Sequence, residues 1–205
     1  MGKKRSVDAK LARLTALRKE PASSAVIAEL CKFLGDASNF VAAEAAAIIG
    51  KAKLVDLAPD LAAAFDRFMI DPEETDKICR AKIALIEALN QLDYDRPEIF
   101  LRAIRHVQYE PVWGGRQDTA APLRAAAAFG LVRLNHRDIL TLLADLLADP
   151  EKGARIAAVQ ALDVLADTSD FAGFSERLWQ RSELEHLARE AESATIRERA
   201  RLLVA

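Results

Sequence analysis

The chain has 205 residues, of which 51% are hydrophobic and only 6% aromatic, so its apolar content is mainly aliphatic. A chain of this length buries roughly two-thirds of its unfolded surface and needs no disulfide or metal to fold. The formal net charge of -2 hides an asymmetry, because residues 1–20 carry seven Lys and Arg against two acids and leave a net charge of -7 on the remainder.

Composition also excludes a membrane-spanning segment. No apolar stretch approaches the roughly 20 residues that cross a bilayer. The basic start is followed by polar residues rather than by the apolar core of a secretion signal. Cys31 and Cys79 belong to separate helical patterns. We therefore expect free thiols and a cytoplasmic location.

A lead helix and five helix pairs are predicted in chain order. Val7, Leu11, Leu14 and Leu17 are three or four residues apart, which lines one helix face and predicts a basic amphipathic helix within residues 1–22. Asp-Pro at positions 71–72 and 149–150 is a start signal, because Asp caps a helix and Pro suits its first turn. The predicted pairs in residues 23–205 are 23–34 with 38–51, 54–69 with 73–92, 97–108 with 119–134, 137–148 with 151–166, and 174–190 with 193–204. The last pair is highly charged, which is typical of a polar cap on a repeat array.

The second helix of every pair carries the same short phrase. One position, which we call the basic slot, holds Lys or Arg in four of the five pairs. Small or apolar residues follow it three and four positions later in all but the fifth pair. The slot residues are separated by 40, 42, 31 and 42 positions, which is typical of stacked helix pairs. These residues are Ala42, Lys82, Arg124, Arg155 and Arg197.

An acid lies six positions before the slot in the first four repeats. We interpret these acids and bases as a structural ladder, in which each acid meets the basic residue of a neighbouring repeat, and not as catalytic groups. The ladder residues are Asp76, Lys82, Asp118, Arg124, Asp149 and Arg155. Because the first repeat has Ala42 in the basic slot, Asp36 is expected to be free or to act as a helix cap.

Residues 109–118 form an insertion that is longer than the turns between the helices of the other predicted pairs. It contains Tyr109, Trp113 and Arg116, residue types that dominate binding hot spots. Long loops within compact domains are often functional. Two interpretations stay open: the aromatic residues fold back and fill the gap between repeats, which we favour slightly, or they form a partner-binding site.

The repeated phrase resembles HEAT repeats, and most closely the HEAT-like repeats of phycobilin lyase subunits, in which Val-Arg opens the second helix before Ala-Ala and Ala-Leu-Gly. Matching residues are Leu123, Arg124, Ala127, Ala128 and Leu131 in the third repeat, and Ala154, Arg155, Ala158, Ala161 and Leu162 in the fourth. Ala42 and Arg201 depart from the pattern. Over residues 23–205 the resemblance implies an all-α superhelix, or solenoid, of about five helix pairs with an extra N-terminal helix. Its second helices would line a concave surface that usually holds a protein partner.

No catalytic constellation accompanies the repeats. The three histidines are 30 and 50 residues apart, so no pair has the spacing at which one helix grips a metal. Paired His-Glu dipeptides, which the HEAT-like deoxyhypusine hydroxylases need for iron, are missing. We therefore predict a protein-binding scaffold that acts through the concave face and the loop around Trp113, with no enzymatic activity, metal or cofactor.

Two alternatives come from other classes of function. The first is a nucleic-acid-binding or DNA-repair protein of the HEAT-like glycosylase type, suggested by Trp113, Asp118 and Trp179 and steered by the basic arm. The acidic remainder of the chain disfavours it, because a duplex-binding face is basic. The second, offered by family analogy alone, is an accessory lyase or chaperone-like subunit for a pigment or cofactor. For the basic arm itself we favour a solvated terminus over contact with nucleic acid, a membrane or another copy.

Overall fold

The computed structural model describes residues 2–167 of the chain. Within this range the protein is mostly helical, with ten α-helices, two short 3₁₀ turns and one two-stranded hairpin. The α-helices are α1 Gly2–Leu17, α2 Ser24–Leu34, α3 Asn39–Lys51, α4 Ala58–Phe68, α5 Pro72–Thr75, α6 Arg80–Gln91, α7 Pro97–Ile104, α8 Ala121–Arg133, α9 Ile139–Leu147 and α10 Lys152–Asp167. The chain divides into two compact units after Gly130. The fifth predicted pair lies outside the described residues.

In the first unit, the lead helix and the first two pairs pack on one another. α1 lies against α2 and α3, and it buries Leu14 and Leu17 completely. α3 packs against α2 of its own pair and against α6, the second helix of the next pair. α4 in turn packs against α6. Helices therefore lie at the predicted positions of the lead helix and the first two pairs, with α6 shorter than the predicted segment 73–92.

Glycine permits the closest approach between α3 and α6. A Cβ atom on Gly50 would lie 2.9 Å from the Ala88 Cα and 2.6 Å from the Gln91 Oε1. These distances are well inside van der Waals contact, so no larger residue fits unless the helices separate. In the third pair, a Cβ on Gly130 would meet the Phe100 ring at 2.4 Å.

Two local features differ from the predicted all-α fold. The segment 73–92, predicted as one helix, is divided into α5, a 3₁₀ turn at Lys77–Cys79 and α6. The insertion forms strands β1, Tyr109–Val112, and β2, Gly115–Asp118, which pair antiparallel. Trp113 and Gly114 connect them, and the φ of 94° at Gly114 is a conformation that glycine adopts without strain.

In the second unit, α9 and α10 pack together as the predicted fourth pair. The buried face of α9 repeats at helical spacing through Ile139, Leu142, Leu143 and Leu146. Ala154, Ala157, Ala158 and Ala161 supply the buried face of α10. Within residues 2–167, no helix is both long and apolar enough to cross a membrane.

The close contact at Gly50 leads to a first prediction. Gly50→Ala is expected to lower the free energy of unfolding by about 1–3 kcal/mol, because α3 and α6 must move apart. Gly35→Ala is the matched control. Gly35 ends α2 with a φ of -75°, and its added Cβ would lie 3.5 Å from the nearest atom, an ordinary contact. We expect this control to change stability by less than about 1 kcal/mol. Urea denaturation followed by circular dichroism measures both, and equal values for the two variants would contradict the close-approach argument.

Candidate functional site

The acids of the predicted ladder accept hydrogen bonds from backbone N–H groups at or just before the starts of the second helices. In three repeats a carboxylate oxygen accepts the backbone N–H two residues later, at 2.8–2.9 Å; these pairs are Asp36 with Ser38, Asp118 with Ala120, and Asp149 with Glu151. Asp76 reaches further, and its two oxygens accept the N–H groups of Ala81 and Lys82 at 2.8 and 2.9 Å. Each acid thus satisfies backbone donors at a helix start, which have no partner within the helix.

The side chains in the basic slot turn back toward the start of their own helix. The Lys82 Nζ lies 3.2 Å from an Asp76 carboxylate oxygen, and both side chains are completely buried. The Arg124 Nη1 lies 2.7 Å from the Asp118 carboxylate, also in the interior. Both ion pairs join residues of one repeat, whereas the sequence prediction paired neighbouring repeats. The difference arises because a base in the first turn of a helix can reach the acid that caps that turn.

The fourth repeat has a related but distinct arrangement. Its slot residue, Arg155, donates from Nη1 to the backbone carbonyls of Asp149 and Pro150 at 2.7 and 2.8 Å. The base therefore braces the turn before α10 through the main chain. Asp149 and Arg155 thus hold the same turn of one repeat, whereas the ladder prediction joined residues of neighbouring repeats.

In the first repeat, the lead helix supplies the missing cation. Lys10 lies 2.5 Å from the carboxylate of Asp36, whose own repeat has Ala42 in the basic slot. Arg13 pairs with Glu20 and Glu29, and Arg18 pairs with Glu44. The cations of this part of α1 therefore contact the chain's own acids, beside its buried leucines.

The hairpin presents its aromatic residues to solvent. Trp113 is fully exposed to solvent, and Tyr109 and Val112 are about half exposed. The interpretation that Trp113 fills a gap between repeats is therefore wrong. Leaving a large apolar side chain in water forgoes roughly 1.5–3 kcal/mol of burial, so Trp113 adds little to the stability of the fold.

Arg116 braces the hairpin rather than facing solvent alone. Its Nη2 donates to the Glu73 carboxylate at 2.8 Å and to the Tyr109 carbonyl at 2.6 Å. Both charged side chains are more than half exposed, so the ion pair contributes little by itself. Of the three residues predicted to bind a partner, Trp113 is the one with a fully accessible side chain.

A buried carboxylate fastens the base of the hairpin. Glu110, in β1, is only 8% exposed, and its Oε1 accepts three hydrogen bonds. The donors are the Ile78 N–H at 2.6 Å, the Gln108 amide at 2.6 Å and the Thr119 hydroxyl at 2.8 Å. Gln108 is also buried, and its amide donates to the Asp76 carbonyl at 2.9 Å. The hairpin is therefore joined to the turn before α6 by buried and partly buried polar contacts.

The turn at the other end of these bonds has an unusual backbone. Ile78 and Cys79 have φ values of 56° and 53°, in the left-handed region. Such conformations cost about 1–3 kcal/mol for residues other than glycine and are rarest for β-branched side chains. They persist where surrounding contacts fix them, and here the Ile78 N–H is fixed by Glu110.

Burial and hydrogen bonding together set the protonation of these groups. Burial by itself raises the pKa of Glu110 and of Asp118, but the donors around each carboxylate outweigh it, so both pKa values lie below their ordinary range. Burial lowers the pKa of His106, which favours the neutral imidazole. Burial raises the pKa of Cys79 to about 12. Its thiol stays protonated at neutral pH and donates to the Gln108 Oε1 at 3.3 Å, so Cys79 is not an activated nucleophile.

Sequence reasoning missed Glu110, Gln108 and Thr119 as anchoring residues. An acid between Tyr109 and Pro111 in a presumed loop resembles a solvated residue, and the burial of Glu110 follows only from the pairing of β1 with β2. The Gly-Gly pair at 114–115 was the one local signal for a hairpin. Within the described part of the chain, no group of three or more His, Cys, Asp or Glu residues is arranged to hold a metal ion.

No family model matches this chain, and no curated protein matches it at a significant level. The HEAT-like resemblance remains a prediction that rests on the repeated residues themselves.

The buried pair in the second repeat yields a second prediction. Lys82→Met is expected to lower the free energy of unfolding by about 3 kcal/mol or more, because removing one partner of a buried ion pair leaves the other without its counter-charge. Arg18→Met, which breaks an exposed pair with Glu44, should cost less than about 1 kcal/mol. Chemical denaturation of both variants tests this. A loss below about 1 kcal/mol for Lys82→Met would mean that Asp76 does not need the buried cation.

A third prediction concerns pH. Because the pKa values of His106, Glu110 and Asp118 are lowered by folding, the unfolded chain binds more protons than the folded chain as pH falls. The contribution of these three groups to the free energy of unfolding is complete above the ordinary His pKa of 6.5. It then declines, first through His106 and further below about 4.5, the ordinary value for Glu. Urea denaturation between pH 7.5 and 3.5 should show this decline.

Glu110→Gln removes one titrating carboxyl from that profile. Its free energy of unfolding should depend less steeply on pH below about 4.5 than that of the wild type. Glu98→Gln, at an exposed position of α7, controls for the loss of one negative charge. A wild-type profile that is flat or rises toward acid pH would contradict the pKa directions.

Proposed function

We propose that this protein is a non-catalytic protein-interaction module that binds its partner through the hairpin 109–118, with Trp113 as the anchor. The observation that carries the proposal is the full exposure of Trp113 at the tip of a hairpin whose base is buried. Tryptophan is among the residues that contribute most to binding when a partner's pocket covers them.

The anchoring of the hairpin favours recognition. An isolated two-stranded hairpin is marginally stable in water, whereas this one is held through Glu110 and Gln108. A side chain that is already positioned loses less conformational freedom on binding, so more of its burial energy contributes to affinity. Tyr109 and Val112, each about half exposed, extend the contact area beside Trp113.

The proposal includes the HEAT-like solenoid that the sequence predicts, with the second helices forming a concave partner-binding face. The side-by-side packing of α3 and α6 in the first unit supports it. Asp76, Lys82, Asp118 and Arg124 hold helix starts within their own repeats, which leaves them a structural role. Because these residues are needed for structure, the hairpin 109–118 is the surface that can change to fit a partner.

Binding of nucleic acid receives less support than binding of protein. Lys10, Arg13 and Arg18 are each paired with acids of the same chain, so part of the basic arm's charge is neutralised before it could meet phosphate. The accessory role with a pigment or cofactor remains a prediction by analogy, and an absorbance spectrum of freshly purified protein tests it.

The fourth prediction tests the anchor directly. Tagged wild-type protein, Trp113→Ala and Val55→Ala are used for affinity purification from the native cell extract, with quantitative mass spectrometry of the retained proteins. The specific partner is then titrated against each variant. Trp113→Ala should weaken binding about 30-fold, as expected for a hot-spot residue worth roughly 2 kcal/mol.

Val55 is the matched control, because it is an exposed apolar residue in a 3₁₀ turn of the same unit. Its replacement should leave affinity unchanged. Circular dichroism should show that neither variant loses helical structure, since Trp113 makes no contribution to the core. Equal retention of all partners by the wild type and Trp113→Ala would contradict the proposed anchor.

A further inference from the structure

We infer that Glu110 is the positioning residue of the Trp113 hairpin, and that it acts by holding the Ile78–Cys79 turn in its left-handed conformation. The inference deepens the proposed function, on which it rests for the hairpin's role in binding. Its structural content concerns the free protein: the hairpin stays seated only while this turn keeps its backbone conformation.

One oxygen atom connects three segments of chain. The Glu110 Oε1 receives donors from Ile78 before α6, Gln108 before β1 and Thr119 after β2, at 2.6, 2.6 and 2.8 Å. Two of these bonds close the base of the hairpin, and the third joins the hairpin to the turn. A single carboxylate therefore contributes to closing the hairpin base and also bonds it directly to the Ile78 turn.

The turn depends on the same contact. Ile78 has φ 56° and ψ 25°, and a β-branched residue leaves this region when nothing holds it there. The bond to Glu110 holds its N–H in place. Without that acceptor, a return of Ile78 to negative φ relieves the strain and turns the N–H away from β1. The point to which the hairpin is attached is then lost.

The other described contacts are weaker substitutes for Glu110. Arg116 reaches Glu73 across an exposed ion pair, which solvent screens. Asp118 accepts the Gln108 N–H, and Thr119 donates its N–H to the Gln108 carbonyl, but these bonds close the hairpin without reaching the turn. The Gln108 amide does reach the Asp76 carbonyl, and the same amide is held by Glu110.

Residue-resolved amide hydrogen exchange of the free protein tests the inference. In Glu110→Ala, the Ile78 and Thr119 amides should exchange at least about tenfold faster than in the wild type, while the amides of α3 stay unchanged. Glu110→Gln should show a smaller increase, about threefold, because its side-chain oxygen can still accept these bonds without the charge. If Glu110→Ala does not fold, the Gln variant carries the test with this expected increase.

A second substitution separates positioning from simple loss of contacts. Ile78→Gly makes positive φ accessible without strain, so the turn should keep its conformation without the carboxylate. In this background, Glu110→Ala should raise exchange of the Thr119 amide by less than about threefold. Lys53→Gly is the control: Lys53 also has a positive φ, 54°, but lies between α3 and α4. There the effect of Glu110→Ala should remain at least about tenfold.

Three results would overturn the inference. One is unchanged exchange of both amides in Glu110→Ala, another is an equal increase throughout α3, and the last is a full Glu110→Ala effect in the Ile78→Gly background. These readouts need no partner. If they are as expected while Trp113→Ala retains every partner, the proposed function fails and the positioning role of Glu110 stands. If Trp113→Ala loses the partner while the exchange results fail, binding through Trp113 does not depend on Glu110.

Discussion

A carboxylate that leaves water must gain hydrogen-bond donors or a nearby cation, and this requirement shapes the start of the second helices in the described chain. Removing an ionised group from water costs several kcal/mol unless such partners replace its hydration. The first turn of a helix has unpaired N–H groups that need acceptors. Asp76 and Asp118 meet both needs at once, and Lys82 and Arg124 neutralise the charge. Where the slot holds Ala42, the cation comes from Lys10, so the same requirement ties the lead helix to the first pair.

The same physical requirement acts at Glu110 with a different result. Here the donors come from the turn and from both ends of the hairpin, so burying the carboxylate fixes an insertion instead of a helix start. The left-handed backbone at Ile78 and the exposure of Trp113 are each unfavourable when considered separately. Both are compatible with a stable fold because the buried contacts between them hold the local structure in one arrangement.

Local periodicity was enough to predict most of the described helices, because apolar residues at helical spacing determine which face is buried, Ala and Ile in α3 and Leu in α9. It was not enough to predict the partners of the ladder charges. A separation of six residues between Asp118 and Arg124 is the same whether the base turns back to its own acid or reaches another repeat. The break at Ile78 was missed because the local sequence favours helix, and hydrogen bonds from residues about 30 positions away override it. The burial of Glu110 likewise depends on the pairing of β1 with β2, and strands of four residues are too short to be recognised from their sequence pattern.

The division of roles between regular and irregular parts has a physical basis. At the repeated positions, small side chains allow helices to approach, and the charged groups hold helix starts, so a change at either disturbs packing or leaves a buried charge. The hairpin tip has neither constraint: the side chain of Trp113 can change without altering a buried contact, provided that Glu110 keeps the base in place. The side chains at the tip can therefore vary while Glu110 and the helix pairs stay the same. This is why the one insertion in the repeat pattern is the most informative place to look for function.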